Sequence, residues 1–366
     1  MRIDMHCHVV GNGKAMNDTD VFFNPDNSPN WFTRILYAMI EHDLVNSGAK
    51  LSGGEEIKAD DYFDFMTETL AQSKEIDSIV LLAMDAPYDP ATHQRMDAIT
   101  TLYVSNHYLY DKVKELNKNL TKQGAVNKRF YFGASVNPNR ADWKEALDYV
   151  INKTDAVLMK WIPSVQLIHI EGSHEEYYET LAESGLPLLC HIGPEYSFPE
   201  GVRDIDRSRL DPSKDLDRFG LLIKPVSCGV KVIAAHCASP VFPLIDRDET
   251  LRFYDFMRAM NTGGKVRLWS DTSALSLSTR IPFLREIVEN FPPEWLLNGS
   301  DFPIPIDASA HMPLVTYKMT PKDYSEILKL TNPLDKDIRI KAAHGFKNNV
   351  IFGNTEQVLR MPLPKP

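Results

Sequence analysis

The sequence predicts an α/β fold, a closed barrel of eight parallel strands in (β/α)8 order, and three observations predict it. Short apolar, β-rich runs recur along the 366-residue chain. Amphipathic segments separate them, the pattern of parallel strands joined by crossover helices. Many of the runs also end in polar or proline-containing punctuation, at the strand ends where such barrels carry their functional loops.

In chain order, Arg2–His8 is the first strand. A long connection through about Ala59 follows it, with clusters of Asn, Asp, Gly and Pro, the pair Trp31-Phe32, and Tyr37. That length and composition predict a partly helical, lid-like insertion over residues 9–59. A helix over Asp60–Ser73 leads to the second strand, Ser78–Met84, which ends at Asp85-Ala86-Pro87. A helix over Thr100–Leu116 precedes the strand Phe130–Val136 with its Asn137-Pro138 stop, and Ala141–Asn152 precedes Ala156–Trp161 with Ile162-Pro163. Glu175–Glu183 precedes Pro187–Ile192 with Gly193-Pro194, and Leu216–Ile223 precedes Lys231–His236 with Ser239-Pro240. Thr250–Met260 precedes Val266–Asp271, and Ile281–Asn290 precedes Trp295–Asp301 with Phe302-Pro303. A second long connection follows Asp301 and reaches a last helical segment near Ile338–Asn348, and the Pro-rich tail Met361–Pro366 reads as extended. The spacing is that of a single TIM-barrel domain over residues 1–366 with long loops after strands one and eight.

Hydrophobic content of 43% and charged content of 25% are those of a globular protein with a large core, which excludes disordered, collagen-like and membrane classes. The net charge of −10 argues against nucleic acid as the partner, because phosphate binding needs clustered Lys and Arg. The N-terminus shows no signal core and no run is long enough to span a bilayer, so a cytoplasmic location and no membrane partner are expected. Cys7, Cys190 and Cys237 stand beside candidate ligand histidines but out of phase with them, and Cys228 stands apart. The first three are expected to point outward as reduced, inert hydrophobes rather than as thiolate ligands.

The chemistry begins at Asp4-Met5-His6-Cys7-His8. Strand side chains alternate with period two, so His6 and His8 face one side and can share an ion. His191 and Asp301 end later strands, at the same rim of the barrel. Imidazole nitrogen and carboxylate oxygen suit zinc, and a catalytic site leaves one position open. His6, His8, His191 and Asp301 are therefore the candidate metal ligands. His236, at the end of strand six, is a candidate acid or electrophile toward a carbonyl substrate.

These residues, in this order, resemble the amidohydrolase superfamily of metal-dependent barrel enzymes, and more narrowly its amidohydrolase-2 branch. The likeness runs through Met159-Lys160-Trp161-Ile162-Pro163 with Gln166, Gly185 to His191, Ser270-Asp271-Thr272-Ser273, Gly299 to Pro303 and Lys347 to Asn354. It implies a divalent ion that acidifies water, with Asp301 moving the proton and His236 steadying the oxyanion. One ion is favoured. A second, held by Lys160 with His191 and His236, requires a carboxylated Lys160; the simpler reading is an inward cation paired with a carboxylate such as Asp301.

Asp4 is expected to face inward below His6, orienting an imidazole or tying the barrel floor, and Asp271 to be structural. His169 and His311 are the remaining histidines to test for substrate contact, with His42, His93, His107, His174 and His344 expected mostly at the surface. Arg203, Arg207 and Arg209 follow strand five and would suit a carboxylate-bearing small-molecule substrate, although a solvated loop is the plainer reading. The leading function is hydrolysis of a small amide, ester or lactone. The alternatives are non-oxidative decarboxylation of a small unsaturated or aromatic acid, and a metal-binding barrel without catalysis. A related nuclease family carries a carboxylate where this chain has Lys160, which argues against DNA as substrate. The sequence leaves room for a homo-oligomer.

Overall fold

The computed structural model describes the chain apart from residues 25–30, 51–56, 194, 196–215, 245, 317 and 363–366, and in the helix Trp31–Asn46 it describes side chains from Tyr37 onward. Eight parallel strands form the barrel: β1 (Ile3–Cys7), β2 (Ser78–Leu82), β3 (Arg129–Ala134), β4 (Leu158–Trp161), β5 (Leu188–Cys190), β6 (Val232–Ala234), β7 (Leu268–Asp271) and β8 (Leu296–Leu297). Each pairs with its sequence neighbour. The chain beyond β8 closes the ring on β1. Met5 N–H donates to the Asn298 carbonyl at 3.0 Å, Asp301 N–H to the His6 carbonyl at 2.8 Å and His8 N–H to the Phe302 carbonyl at 2.7 Å.

Alternation along the strands builds two apolar layers. Ile3, Met5, Val80, Leu82, Leu158, Leu189, Ile233 and Leu297 fill the barrel, while Ile79, Leu81, Met159, Trp161, Leu188 and Val232 pack outward against the helices. Cys7, Cys190 and Cys237 belong to the outer layer as free buried thiols, the expected placement. Burial pushes the Cys190 thiol far up and the Cys237 thiol up to about 12, which keeps them protonated and unreactive.

One register shift decides the geometry of the site. Asp4 lies opposite Ile79 and Cys7 opposite Leu81, so β1 carries one extra residue between them. Met5 fills the barrel and Cys7 packs outward, which leaves His6 and His8 at the inner rim. Strict alternation would have put Asp4 in phase with His6. The bulge reverses that expectation: Asp4 shares the outer face with Ile79 and accepts the N–H of His6 at 3.3 Å and of Ser300 at 2.9 Å. It ties β1 to the turn after β8 and, among the described residues, bonds to no imidazole.

Most helices follow the predicted pattern. Ala59–Gln72 buries Tyr62, Phe63, Met66 and Leu70, an i, i+4 stripe, and places Asp60 and Asp61 in its first turn, where the helix dipole favours carboxylates. The expected helix at Thr100–Leu116 is displaced. Leu102–Tyr103 instead pairs antiparallel with Phe22–Phe23, and the helix runs Asn106–Lys122 because the Ser105 side chain accepts the Tyr108 N–H as its cap. The segment expected near Ile338–Asn348 is two helices, Pro333–His344 and Asn348–Val358, divided at Gly345 with φ of 101°. The span Leu216–Ile223 resolves into the short turn Phe219–Leu222 and the helix Ile223–Ser227. Among the described residues, no helix is long and apolar enough to cross a membrane.

Candidate metal centre

His6, His8 and Asp301 meet at the C-terminal rim of the barrel, all three buried, with one donor atom from each lying within 4.8 Å of the others. Asp301 Oδ1 stands 3.2 Å from His6 Nε2 and 3.3 Å from His8 Nε2. Two ligands about 2.0–2.1 Å from one tetrahedral zinc lie about 3.3 Å apart, so the spacing fits such an ion.

The turn after β8 makes this approach possible. A Cβ on Gly299 would sit 2.7 Å from the His6 Cβ, so only glycine lets the turn lie against β1. Asp301 then adopts a left-handed backbone, φ 66°, an uncommon state for a side-chain-bearing residue. Its N–H bond to the His6 carbonyl holds it there, and the side chain turns back across the rim.

His236 reaches the site by a second local reversal. Ile233 and Ala235 fill the barrel, so simple alternation would aim His236 outward. Left-handed values at His236, Cys237 and Ala238 (φ 61°, 54° and 51°) turn it inward. Asp271, at the end of β7, fixes this bend by accepting the His236 N–H at 2.9 Å, and the Ser273 hydroxyl lies 2.8 Å from His236 Nδ1. His236 Nε2 faces Asp301 Oδ2 at 3.8 Å.

Asp271 also bonds His6 Nδ1 through Oδ2 at 2.7 Å. It thus fills the orienting role that the sequence reading offered to Asp4, fixing the His6 tautomer with its Nε2 lone pair toward the site. That lone pair takes a hydrogen bond from Lys160 Nζ at 2.9 Å. Lys160 is inward and fully buried, as expected, but its contact is an imidazole rather than the carboxylate of Asp301. His191 lies beside this group, its ring 5.2 Å from that of His236, with Nδ1 3.3 Å from Glu195 Oε2 and Nε2 3.2 Å from the Gly193 carbonyl. It stands outside the tight His6, His8 and Asp301 cluster.

Burial, aided by the Lys160 charge and opposed by Asp301 and Asp271, pushes His6 down to about 4. Burial likewise lowers His191, His236 and Lys160. It would raise Asp301, but His6, His236 and His8 hold that carboxyl well below its usual range. Near neutral pH the imidazoles His6, His191 and His236 are therefore neutral and Asp301 ionised, the protonation state a divalent cation requires.

A cavity of about 360 Å3 opens over the cluster, lined at its base by His8, Lys160, His191, Glu195, His236 and Asp301. Its wall comes largely from residues 9–57, including Val9, Phe23, Tyr37, Ile40 and Ile57, with Leu102 and Ile304. A cavity of this size, largely apolar with a few converging polar groups, suits a small molecule.

A family model described as Amidohydrolase matches residues 3–345. The chain belongs to the amidohydrolase family. That places it among enzymes on a (β/α)8 barrel, and the rim cluster stands where this architecture carries its active sites. Solved structures similar to this family member include 4-oxalomesaconate hydratase from Rhodopseudomonas palustris, at 15% identity and TM-score 0.48 over 98% of this chain and 95% of that one. Dihydroxybenzoic acid decarboxylase from Polaromonas, with bound manganese, is similar at 16% identity and TM-score 0.44 over 96% of each chain. An uncharacterised TIM-barrel protein from Bordetella bronchiseptica has 12% identity and TM-score 0.46 over 92% of this chain and 99% of that one. No curated protein matches the chain.

Other expectations fare unevenly. Arg203, Arg207 and Arg209 lie outside the described residues. Neither His169 nor His311 lines the cavity. His311 instead bonds His344 at 2.8 Å and the Ser276 carbonyl at 3.0 Å, so His344, expected at the surface, is buried. The sequence does not single out Glu195, which follows His191 by four residues with no motif of its own and lines the cavity.

Proposed function

We propose that this amidohydrolase-family barrel is a metal-dependent hydrolase of a small amide, ester or lactone. His6, His8 and Asp301 would hold one divalent ion, with His191 completing the set and zinc the ion best suited to these nitrogen and oxygen donors. When bound, such an ion supplies Lewis-acid chemistry, polarising a carbonyl and acidifying water. The placement of Asp301 is the observation that carries the reading. Its Oδ1 is shared between two imidazoles, while Oδ2 faces His236 across the cavity base at 3.8 Å.

In that position Asp301 takes the proton from the attacking water and returns it to the leaving group. His236, held by Asp271 and Ser273 with Nδ1 3.1 Å from the Ser273 carbonyl, presents Nε2 to the cavity, where it would stabilise charge growing on the carbonyl oxygen once Nε2 takes up a proton. The apolar wall excludes bulk water and strengthens both interactions. The one-ion reading keeps Lys160 as an amine rather than a carbamate, and an ion on His6 Nε2 would replace the hydrogen bond that Lys160 makes to that lone pair.

The test is turnover of a panel of small amides, esters and lactones by zinc-loaded protein in 18O-labelled water. Hydrolysis places one labelled oxygen in the acid product, and Asp301→Asn reduces the rate by at least about 100-fold. Carbon dioxide release without label incorporation, undiminished turnover by Asp301→Asn, or no turnover across the panel would contradict the proposal.

A further inference from the structure

Ser273 lies two residues beyond the end of β7 and is fully buried. Its hydroxyl sits between two partners, 2.5 Å from Asp271 Oδ1 and 2.8 Å from His236 Nδ1. The same Asp271 oxygen accepts the backbone N–H of His236 at 2.9 Å and that of Ser273 at 3.1 Å.

Burial would raise the Asp271 carboxyl, but His6, His236 and the Ser273 hydroxyl hold it well below its usual range. An ionised carboxylate only accepts, so the single hydroxyl proton of Ser273 is committed to Asp271. Toward His236 the Ser273 oxygen then offers a lone pair alone. The other neighbour of His236 Nδ1 is the Ser273 carbonyl at 3.1 Å, which is likewise only an acceptor. Two buried acceptors call for a donor between them, so the proton of the neutral ring lies on Nδ1. His236 lines the cavity base, and its Nε2 is left there as a lone pair, 3.8 Å from Asp301 Oδ2 and too far from it for a hydrogen bond.

We propose that Ser273 is a positioning residue that fixes the tautomer of His236, carrying the influence of Asp271 to it, so that His236 enters the reaction with an accepting Nε2. One carboxylate then orders two imidazoles of the site, His6 directly through Oδ2 at 2.7 Å and His236 through the hydroxyl. The reverse tautomer would set a bare Nδ1 against two acceptors and aim an N–H into the cavity from the start. The inference rests on the proposed hydrolysis only for what His236 does once Nε2 has gained a proton; the tautomer itself needs neither substrate nor metal.

The test is long-range proton–nitrogen correlation spectroscopy of 15N-histidine-labelled protein, stripped of metal with chelator and held near neutral pH, with the His236 signals identified by their loss in His236→Gln. In the wild type His236 is expected to carry its proton on Nδ1. Ser273→Ala, which keeps the carbonyl but removes the hydroxyl, is expected to bring up a measurable share of the Nε2–H form. In the zinc-loaded protein it is expected to lower kcat at least about tenfold with KM changed less than about threefold, since a wrongly placed imidazole proton impairs the chemical step more than binding. A wild-type His236 protonated on Nε2 overturns the proposal even if the variant fails to fold. So does a folded Ser273→Ala that keeps only the Nδ1–H form, or one whose tautomer shifts while kcat does not. The two readings fail separately: an Nδ1–H tautomer in a protein that turns over no amide, ester or lactone defeats the hydrolase reading alone, and turnover by a protein with the Nε2–H tautomer defeats the Ser273 assignment alone.

Discussion

At the scale of single residues, the site depends on small groups that allow larger ones to converge. Gly299 is one: a methyl group there meets His6 at 2.7 Å, in a turn fixed by backbone bonds on both sides. Gly299→Ala is expected to lower stability by about 1–3 kcal/mol, the usual cost of overpacking, measured as a lower urea midpoint with unchanged slope. Asp271 is another, since its two oxygens hold the His6 ring and the His236 backbone. Asp271→Asn should weaken zinc binding about 10- to 100-fold in competition with a chromophoric chelator, without removing a proposed ligand. Unchanged affinity would mean that Asp271 does not set the His6 tautomer.

At the scale of elements, the helix Pro333–His344 braces the floor of the site. Lys341 joins Asp337 to the Gly299 carbonyl, and His344 meets His311. Burial, followed by the nearby His311, pushes His344 down to about 4, below its ordinary 6.5. The folded state thus binds its proton less readily than the unfolded chain. The stability that this contributes is present above about pH 6.5 and is lost as pH falls toward 4, by roughly 1–3 kcal/mol. His344→Gln should flatten the fall in urea-unfolding free energy across that window, and an unchanged slope would refute the assignment. The cap at Ser105 gives a simpler expectation: Ser105→Ala should cost about 1 kcal/mol, read in the same unfolding experiment. That cap also shows why the helix expected from Thr100 starts later. Periodicity reports an apolar stripe, but Leu102 and Tyr103 are apolar for another reason, their pairing with Phe22 and Phe23.

At the scale of the molecule, the eight strands and their order were legible because each is a short apolar run with a marked end. His6, His8 and Asp301 were legible because ligand types stood at those ends. The details were not. The bulge in β1 turns Asp4 outward, and three left-handed residues turn His236 inward, so simple alternation fails at two of the strands that carry the site. Register shifts and positive backbone angles at residues other than glycine arise from tertiary bonds, which no local pattern encodes.

The account turns on one cation joining β1 to the turn after β8. Because a ligand that binds only the folded state stabilises it, zinc at 100 times its Kd should add about 2.7 kcal/mol and raise the melting temperature, with chelator reversing the shift. The most direct measurement is anomalous diffraction at the zinc edge from crystals grown with zinc. The predicted result is one strong peak about 2.0–2.2 Å from His6 Nε2, His8 Nε2 and an Asp301 carboxylate oxygen. Zinc-saturated crystals with no peak among these three residues, or with the only peak elsewhere, would contradict the account.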